Sequence, residues 1–197
     1  QDLTSVLETG LPVSLYQLPQ ITQNEMAPEL VASLAARFGN FFLFKDTSGA
    51  DHVALSGKDF GGVFLVRGAE GDYVRWLTSA GGPYHGFLLS TANCLAHELH
   101  QMIEELAANR IDAARQRSAR ITSLVNDVFR IVTGLPHGNA FANANKAMDH
   151  FFAFGPKACD VAPPRLHAGS RLPLEVTRAT GEALSRHGLM PAKGYLE

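Results

Sequence analysis

Four short apolar runs constrain the fold of this 197-residue chain more than any other feature. They span residues 11–16, 41–45, 62–67 and 86–90, and each ends in a polar or small residue. Their apolar positions are continuous rather than alternating, which is typical of strands that are covered on both faces, as in parallel sheets. We therefore predict an α/β fold with four parallel strands.

Helical patterns accompany and follow these runs. Between the first two runs, Pro28 stands near the first turn of a predicted helix and Gly39 is placed to end it. A strand, a helix and a second strand form a βαβ unit. From residue 95 onward the apolar spacing is helical only, and it includes a predicted helix at residues 145–154 after a Gly/Asn-rich loop at residues 134–144.

The composition narrows the possible partners. Seventeen basic and nineteen acidic residues are mixed along the chain and give a net charge of -2, so we expect neither nucleic acid nor an anionic membrane as a partner. Small molecules or further copies of the chain are the expected partners. The two cysteines lie far apart and suggest no disulfide framework, which favours a cytoplasmic location. No apolar stretch approaches the roughly 20 residues of a membrane span.

Lys45 ends the second apolar run, just before a polar, turn-prone segment. An amine among apolar side chains loses solvation when it is charged, so its pKa falls and the neutral nucleophile becomes available near neutral pH. Schiff-base chemistry requires such an amine. The alternative is a lysine at the end of a strand whose stem covers apolar surface while its ammonium reaches water.

A free-standing sheet of four parallel strands has two open edges. Each edge would leave unpaired backbone groups, and a piece of a barrel would also leave its inward-facing side chains uncovered. Two arrangements would close it. Either the chain is the later part of a longer protein whose first strands are missing here, or two such pieces complete each other.

Three segments carry a resemblance to a known family. They are residues 15–19 (Leu-Tyr-Gln-Leu-Pro), residues 44–49 (Phe-Lys-Asp-Thr-Ser-Gly) and residues 86–93 (Gly-Phe-Leu-Leu-Ser-Thr-Ala-Asn). In order and spacing they resemble successive signatures of the dihydrodipicolinate synthase and N-acetylneuraminate lyase family of class I aldolases, and residues 143–173 are also similar to that family.

The resemblance implies the later strands, about five to eight, of a (β/α)8 TIM barrel, with the first part missing from this chain. Residues 1–94 would then form the partial barrel that holds the reactive groups, and residues 95–197 the last barrel helix and a C-terminal helical region. Lys45 would attack the carbonyl of pyruvate or another 2-keto acid to form an imine, and Tyr16 would transfer protons to and from the substrate oxygen. The alternative for Tyr16 is a packed ring with its hydroxyl in water. No cofactor is implied.

The resemblance also implies a set of substrate-binding residues, which are Thr47, Gly68, Glu70, Leu88, Ser90 and Thr91. The hydroxyls would bind the polar tail of a sugar acid, Gly68 would approach the keto acid through its backbone, and Leu88 would line the pyruvate site. For Glu70 the alternative is a solvated turn, and for Gly68 a tight turn and nothing more.

Departures from the family pattern shape the expected activity. Ile21 stands where dihydrodipicolinate synthases carry an arginine for the carboxylate of the second substrate, which disfavours lysine biosynthesis. A sugar-derived 2-keto-3-deoxy acid is the preferred substrate class. The family's threonine pair for the pyruvate carboxylate, and a tyrosine from a neighbouring subunit, belong to the part of the barrel that we expect to be missing. Activity should need that part, in a homo-oligomer that is a dimer or a tetramer.

Three functions remain open. The leading prediction is a class I, pyruvate-dependent aldolase or lyase that cleaves or forms a carbon–carbon bond. A dehydratase or deaminase of the same family would form the same imine, and a catalytically silent truncated paralogue would act as an assembly subunit. No metal site is predicted, because His97 and His100 are three residues apart, whereas the metalloprotease helix needs a spacing of four.

Overall fold

The chain forms two compact units, Gln1–Leu89 and Ser90–Glu197. The computed structural model describes residues 3–136 and 138–196. Across these residues, none of the helices combines the length and the apolar character that a membrane span requires.

The first unit is built on a four-stranded parallel sheet. Its strands follow the order of the chain and are β1 (Val13–Gln17), β2 (Phe41–Asp46), β3 (Phe64–Arg67) and β4 (Gly86–Phe87). The predicted α/β fold with a parallel sheet is therefore confirmed. The pairing of β1 with β2 contains an irregularity between Val13 and Ser14, after which the register is regular.

Helices precede and connect the strands of the first unit. Before β1 lies α1 (Leu3–Leu7), and between the strands lie α2 (Pro19–Thr22), α3 (Pro28–Arg37), α4 (His52–Leu55), α5 (Tyr73–Trp76) and a 3-10 helix (Thr78–Ala80). In α3, Pro28 occupies the first turn, where its missing N–H costs nothing, and Val31 and Leu34 face the core. This helix ends at Arg37, and Phe38 in an extended conformation is the C-cap, so Gly39 follows the helix without capping it.

The two faces of this sheet differ in character. One face packs on the surrounding helices through an apolar core, whose buried members are Leu7, Val13, Leu15, Val31, Leu34, Phe41, Phe44, Val53, Phe60, Val63, Leu65, Trp76 and Tyr84. The other face stays open. About half of the surface of each of three residues on it is exposed to solvent, namely Tyr16 (50%), Phe64 (46%) and Leu88 (53%). We call this second face the open face of the sheet.

The second unit contains four long helices, α6 (Ala92–Ala107), α7 (Ile111–Val132), α8 (Ala140–Phe154) and α9 (Leu174–Arg186), together with a 3-10 helix (Gly155–Asp160). Their buried side chains recur three and four residues apart, as on amphipathic helices. A polar contact reinforces the packing of α6 on α7, because the Arg117 guanidinium donates to both carboxylate oxygens of Glu105 and to Glu98.

Candidate active site

Tyr16 and Lys45 lie side by side at the carboxyl ends of two neighbouring strands. They are paired in the register of β1 and β2, and the Lys45 Nζ lies 4.5 Å from the centroid of the Tyr16 ring. Parallel strands present residues of the same register on the same face, so both side chains rise from the open face of the sheet. The structure therefore brings the two predicted reactive residues into contact.

The surroundings of Lys45 favour its neutral form. Burial is the larger effect and lowers the pKa of this amine from its ordinary value, while the negative charge of Glu70 acts in the opposite direction. The balance is a lowered pKa, because removal from water penalises the ammonium form. More of the free amine is thus available at a given pH than for a lysine in water.

Gly68 and Thr47 form a close wall beside Lys45. A Cβ added to Gly68 would lie 2.0 Å from the Thr47 Oγ1 and 2.7 Å from the Lys45 Cε, so a side chain does not fit here. The Gly68 N–H donates to the Asp46 carbonyl at 2.6 Å, which fixes this approach. Within the described residues, the buried Thr47 Oγ1 has no hydrogen-bond partner, and it stands as an available polar atom close to the amine.

Glu70 and Leu88 complete the group in the first unit. The Tyr73 hydroxyl donates to the Glu70 Oε2 at 3.0 Å, and the Glu70 charge acts on Lys45. The Leu88 N–H donates to the Arg67 carbonyl at 3.0 Å, which continues the β3–β4 ladder past the last residue of β4. Since Gly86 is paired with Val66, alternation along the strand places Leu88 on the open face.

Ser90 and Thr91 belong to the second unit. Thr91 is buried at the N-cap position of α6, and Ser90 lines a cavity of about 450 Å³ together with Cys94, Asn145 and Asp149. Burial raises the pKa of the Cys94 thiol to about 12, so it remains a thiol at neutral pH and is unsuited to act as a nucleophile. The predicted roles of Ser90 and Thr91 in substrate binding stay predictions.

A buried ionic cluster, which the sequence analysis missed, lies behind the sheet. Arg67 donates from Nε and Nη2 to the two carboxylate oxygens of Asp51 at 2.9 and 3.0 Å, and the Tyr84 hydroxyl donates to the Asp51 Oδ1 at 2.7 Å. The Arg67 guanidinium also lies 4.2 Å from the Trp76 ring centroid. A sequence signal existed, because a charged residue that ends an apolar strand must find a partner when it is buried.

Tyr84 is held in its protonated form by this cluster. Burial raises the pKa of its phenol strongly, and the nearby charge of Asp46 and the hydrogen bond to Asp51 act in the same direction. Its hydroxyl is buried and already committed, because it donates to the Asp51 Oδ1 at 2.7 Å. Tyr16, which lies against Lys45 and is half exposed, is therefore the better placed of the two tyrosines for proton transfer.

The described residues contain no cluster of metal-binding side chains. Throughout residues 3–136 and 138–196, no three His, Cys, Asp or Glu side chains gather closely enough to hold a metal ion. The side chains at the open face can offer nucleophilic attack by an amine, proton transfer by a phenol, and hydrogen bonding by a hydroxyl and a carboxylate.

Known sequences that are similar to this chain belong to one family. A sequence model of the dihydrodipicolinate synthetase family matches residues 4–142. A 4-hydroxy-tetrahydrodipicolinate synthase from Pseudoalteromonas atlantica is 32% identical over 126 residues, which are 61% of this chain and 41% of that protein. The enzyme of the same name from Archaeoglobus fulgidus is 28% identical over 142 residues, or 66% of this chain and 44% of that protein.

Solved structures are similar over nearly the whole chain. A monomeric dihydrodipicolinate synthase variant matches with a TM-score of 0.68 and 16% identity, over 95% of this chain and 59% of its own. A variant of the 2-keto-3-deoxygluconate aldolase from Sulfolobus solfataricus matches with a TM-score of 0.65 and 17% identity, over 95% of this chain and 60% of its own. At these identities the likeness concerns the fold. The chain spans about two fifths of the length of the curated relatives.

Proposed function

Since this chain belongs to the dihydrodipicolinate synthetase family, we propose that it supplies the amine and the phenol of a lyase that forms a Schiff base with pyruvate or a related 2-keto acid. The observation that carries the proposal is the placement of the Lys45 amine, with its lowered pKa, 4.5 Å from the Tyr16 ring centroid at the ends of β1 and β2. The membership itself confirms the resemblance carried by the three motifs.

The proposed chemistry begins at Lys45. Its neutral amine adds to the keto carbon, the carbonyl oxygen leaves as water, and the imine takes up one proton from the solvent to become the protonated imine. In the cleavage direction, the electron pair of the bond between carbons 3 and 4 moves toward this imine and leaves an enamine. Carbon 3 then takes up a proton, and water hydrolyses the imine to release pyruvate and restore the amine.

Tyr16 is proposed to transfer the protons that this sequence requires. As the carbon–carbon bond breaks, the hydroxyl on carbon 4 must lose a proton to become an aldehyde, and a base within hydrogen-bond reach accepts it. The half-exposed Tyr16 ring lies against the Lys45 side chain, so its oxygen is available to a substrate held on the amine. In the synthetic direction the same phenol returns the proton.

The substrate proposed for this site is a sugar-derived 2-keto-3-deoxy acid. Thr47 offers a buried hydroxyl beside Lys45, and Glu70 offers a carboxylate to substrate hydroxyls. Leu88 would cover the apolar side of the bound keto acid. Ile21, which is 69% exposed, has no charge with which to hold a second carboxylate. The 2-keto-3-deoxygluconate aldolase among the structural relatives supports this substrate class.

The four strands are proposed to be strands five to eight of a (β/α)8 barrel. The open face of the sheet would then be the inner surface of the barrel, which explains why Tyr16, Phe64 and Leu88 remain about half exposed (50%, 46% and 53%). The reaction is proposed for the assembled barrel, in a dimer or tetramer, rather than for these residues alone. Sedimentation at several concentrations measures this association, and a species of constant, monomeric mass would contradict it.

Borohydride trapping tests the Schiff base. The protein is incubated with pyruvate, reduced with borohydride and weighed by mass spectrometry, and a covalent adduct is expected on Lys45. Lys45→Ala should lose the adduct, whereas Lys58→Ala, which changes a partly exposed lysine paired with Glu29, should keep it. If no adduct forms even in an assembled barrel, the chain is a silent assembly subunit instead. Product analysis with a panel of 2-keto acids then separates the lyase from a dehydratase or deaminase.

A further inference from the structure

Arg67 uses its donors in two directions. On one side, Nε and Nη2 bind both oxygens of the Asp51 carboxylate at 2.9 and 3.0 Å. On the other side, Nη1 donates to the backbone carbonyls of Ala69 at 2.9 Å and of Gly71 at 3.2 Å. The side chains of Arg67 and Asp51 are only 6% and 1% exposed, so this network forms inside the protein.

The two carbonyls that Arg67 holds flank Glu70. The segment of residues 68–72 begins against Lys45, because Gly68 leaves no space for a Cβ beside the Lys45 Cε. It ends in two left-handed residues, Gly71 at φ 89° and Asp72 at φ 51°. The two hydrogen bonds from the Arg67 guanidinium therefore anchor this segment on both sides of Glu70.

We propose that Arg67 is a positioning residue: by holding the carbonyls on both sides of Glu70, it fixes the distance between the Glu70 carboxylate and the Lys45 amine. This inference rests on the proposed Schiff-base function of Lys45. It assigns to a residue on the covered side of the sheet a role in setting the charge state of the nucleophile on the open side.

The geometry requires an arginine. A guanidinium can bind a carboxylate with two donors and still direct a third nitrogen elsewhere, whereas an ammonium is a single point charge. Among the described residues, the titratable groups that face the Lys45 amine are Tyr16 from β1 and Glu70 from the segment after β3. Arg67 is paired with Asp46 in the sheet register, one residue out of phase with Lys45, and acts through the segment rather than by contact.

Chemical labelling of amines tests the role of Arg67 without requiring turnover. The reaction of Lys45 with a small acylating reagent is followed by mass spectrometry across pH, and its midpoint reports the pKa of the amine. Arg67→Lys keeps the charge opposite Asp51 but loses the contacts to the carbonyls of Ala69 and Gly71. We expect its midpoint to fall by about 0.5 pH unit, as in Glu70→Gln, because the Glu70 carboxylate is no longer held near the amine in the first variant and has lost its charge in the second.

The double variant, Arg67→Lys with Glu70→Gln, shows whether Arg67 acts by positioning Glu70 or by stabilising the structure around Lys45 in general. If Arg67 acts through Glu70, Arg67→Lys has no further effect on the midpoint once Glu70→Gln is present. An unchanged midpoint in Arg67→Lys, or a shift that persists in the Glu70→Gln background, overturns the proposal. Should Arg67→Lys fail to fold, the paired change Asp51→Asn with Arg67→Gln removes the same contacts without leaving a lone buried charge and serves the same comparison.

The two proposals fail separately. If no borohydride adduct forms in the assembled wild-type barrel, the proposed Schiff base is refuted, whatever the labelling midpoints are. A wild-type adduct combined with midpoints that do not depend on Arg67 would leave the Schiff base standing and refute the positioning role.

Discussion

At the scale of single residues, the neighbours of Lys45 set the pKa of its amine. Burial lowers the pKa of the amine, Glu70 opposes that effect, and Gly68 leaves the space in which the side chain extends. A lysine ending a strand and a tyrosine ending the preceding strand could be paired from the sequence, because parallel strands bring their carboxyl ends to one edge. The pairing of Asp51 with Arg67 could not be predicted in this way, because the partner of a buried charge depends on the path of the loops between the strands.

A methyl group at Gly68 should disturb the proposed nucleophile, Lys45, directly. In Gly68→Ala the new Cβ would lie 2.0 Å from the Thr47 Oγ1 and 2.7 Å from the Lys45 Cε, so both side chains must move. We expect imine formation to slow by about tenfold or more, with a stability loss of about 1–3 kcal/mol. Borohydride trapping and thermal unfolding measure the two effects. Gly62→Ala is the matched control, since nothing lies within 4 Å of its added Cβ, and equal behaviour of the two variants would refute the argument.

Removal of the Tyr16 hydroxyl should separate imine formation from turnover. Tyr16→Phe keeps the ring against the Lys45 side chain and removes only the phenol oxygen, which is the proposed proton-transfer atom. In the assembled barrel we expect the borohydride adduct to form, while the rate of carbon–carbon cleavage falls by about 10²–10⁴-fold. Steady-state kinetics with a 2-keto-3-deoxy acid provides the measurement. A variant that turns over at the wild-type rate would exclude Tyr16 as the proton-transfer group.

At the scale of elements, the start of α8 shows how burial of side chains can override the helix propensity of the residues. The sequence places a helix at residues 145–154 after an asparagine-rich loop, whereas the structure starts the helix at Ala140. Asparagine favours turns over helix interiors, which explains the late start in the prediction. Burial of Asn143 and Ala144 on the inner side of the helix overrides that preference, and the Asn139 side chain accepts from the Ala142 N–H at 2.8 Å to cap the true first turn.

The cap on α8 yields a stability prediction. Asn139→Ala leaves a first-turn N–H without its acceptor and should lower the free energy of unfolding by about 1 kcal/mol. Asn139→Asp should retain the stability, because its carboxylate also accepts the hydrogen bond and lies at the favourable end of the helix dipole. Chemical denaturation of the three proteins makes the comparison. Equal losses in both variants would mean that the side-chain acceptor at residue 139 does not stabilise the helix.

The contact between α6 and α7 yields a prediction about pH. Hydrogen bonds from Arg117 hold the pKa of Glu105 below its ordinary value, so folding is stabilised while this carboxylate is charged. That stabilisation is complete above the unfolded pKa of about 4.3 and is lost as the pH falls through the lower folded value. Glu105→Gln should therefore be less stable than the wild type at pH 7, and the difference should shrink below about pH 4. A difference that grows on acidification would contradict this assignment.

At the scale of the whole molecule, the chain consists of two units with separate cores. The parallel sheet of the first unit could be predicted, because continuous apolar runs indicate strands covered on both faces. The end of the last strand could not: the apolar run continues to residue 90, but β4 ends at Phe87 and the second unit begins at Ser90. A strand ends where its partner ends, and the β3 partner of Phe87 is Arg67, the last residue of β3.

The second unit should fold without the first. Residues 90–197 contain four long helices around buried side chains such as Met102, Leu124 and Leu184. A separately produced 90–197 chain should therefore be helical by circular dichroism and unfold cooperatively on heating. A low helix content or a gradual melt would show that its core needs the first unit. Leu124→Ala in the same 90–197 chain should lower the free energy of unfolding by about 2–5 kcal/mol if the thermal transition reports the unfolding of this core.

The irregularity between Val13 and Ser14 determines which face of the sheet each later side chain of β1 occupies. Side chains alternate between the two faces of a sheet, so moving β1 by one position would turn the Tyr16 phenol toward the helices and away from the Lys45 amine. Changes of chain length in the segment between β1 and α3 leave this phase untouched. A single residue inserted within the first strand would therefore have two effects at once, because Tyr16 would leave Lys45 and Leu15 would leave the apolar core.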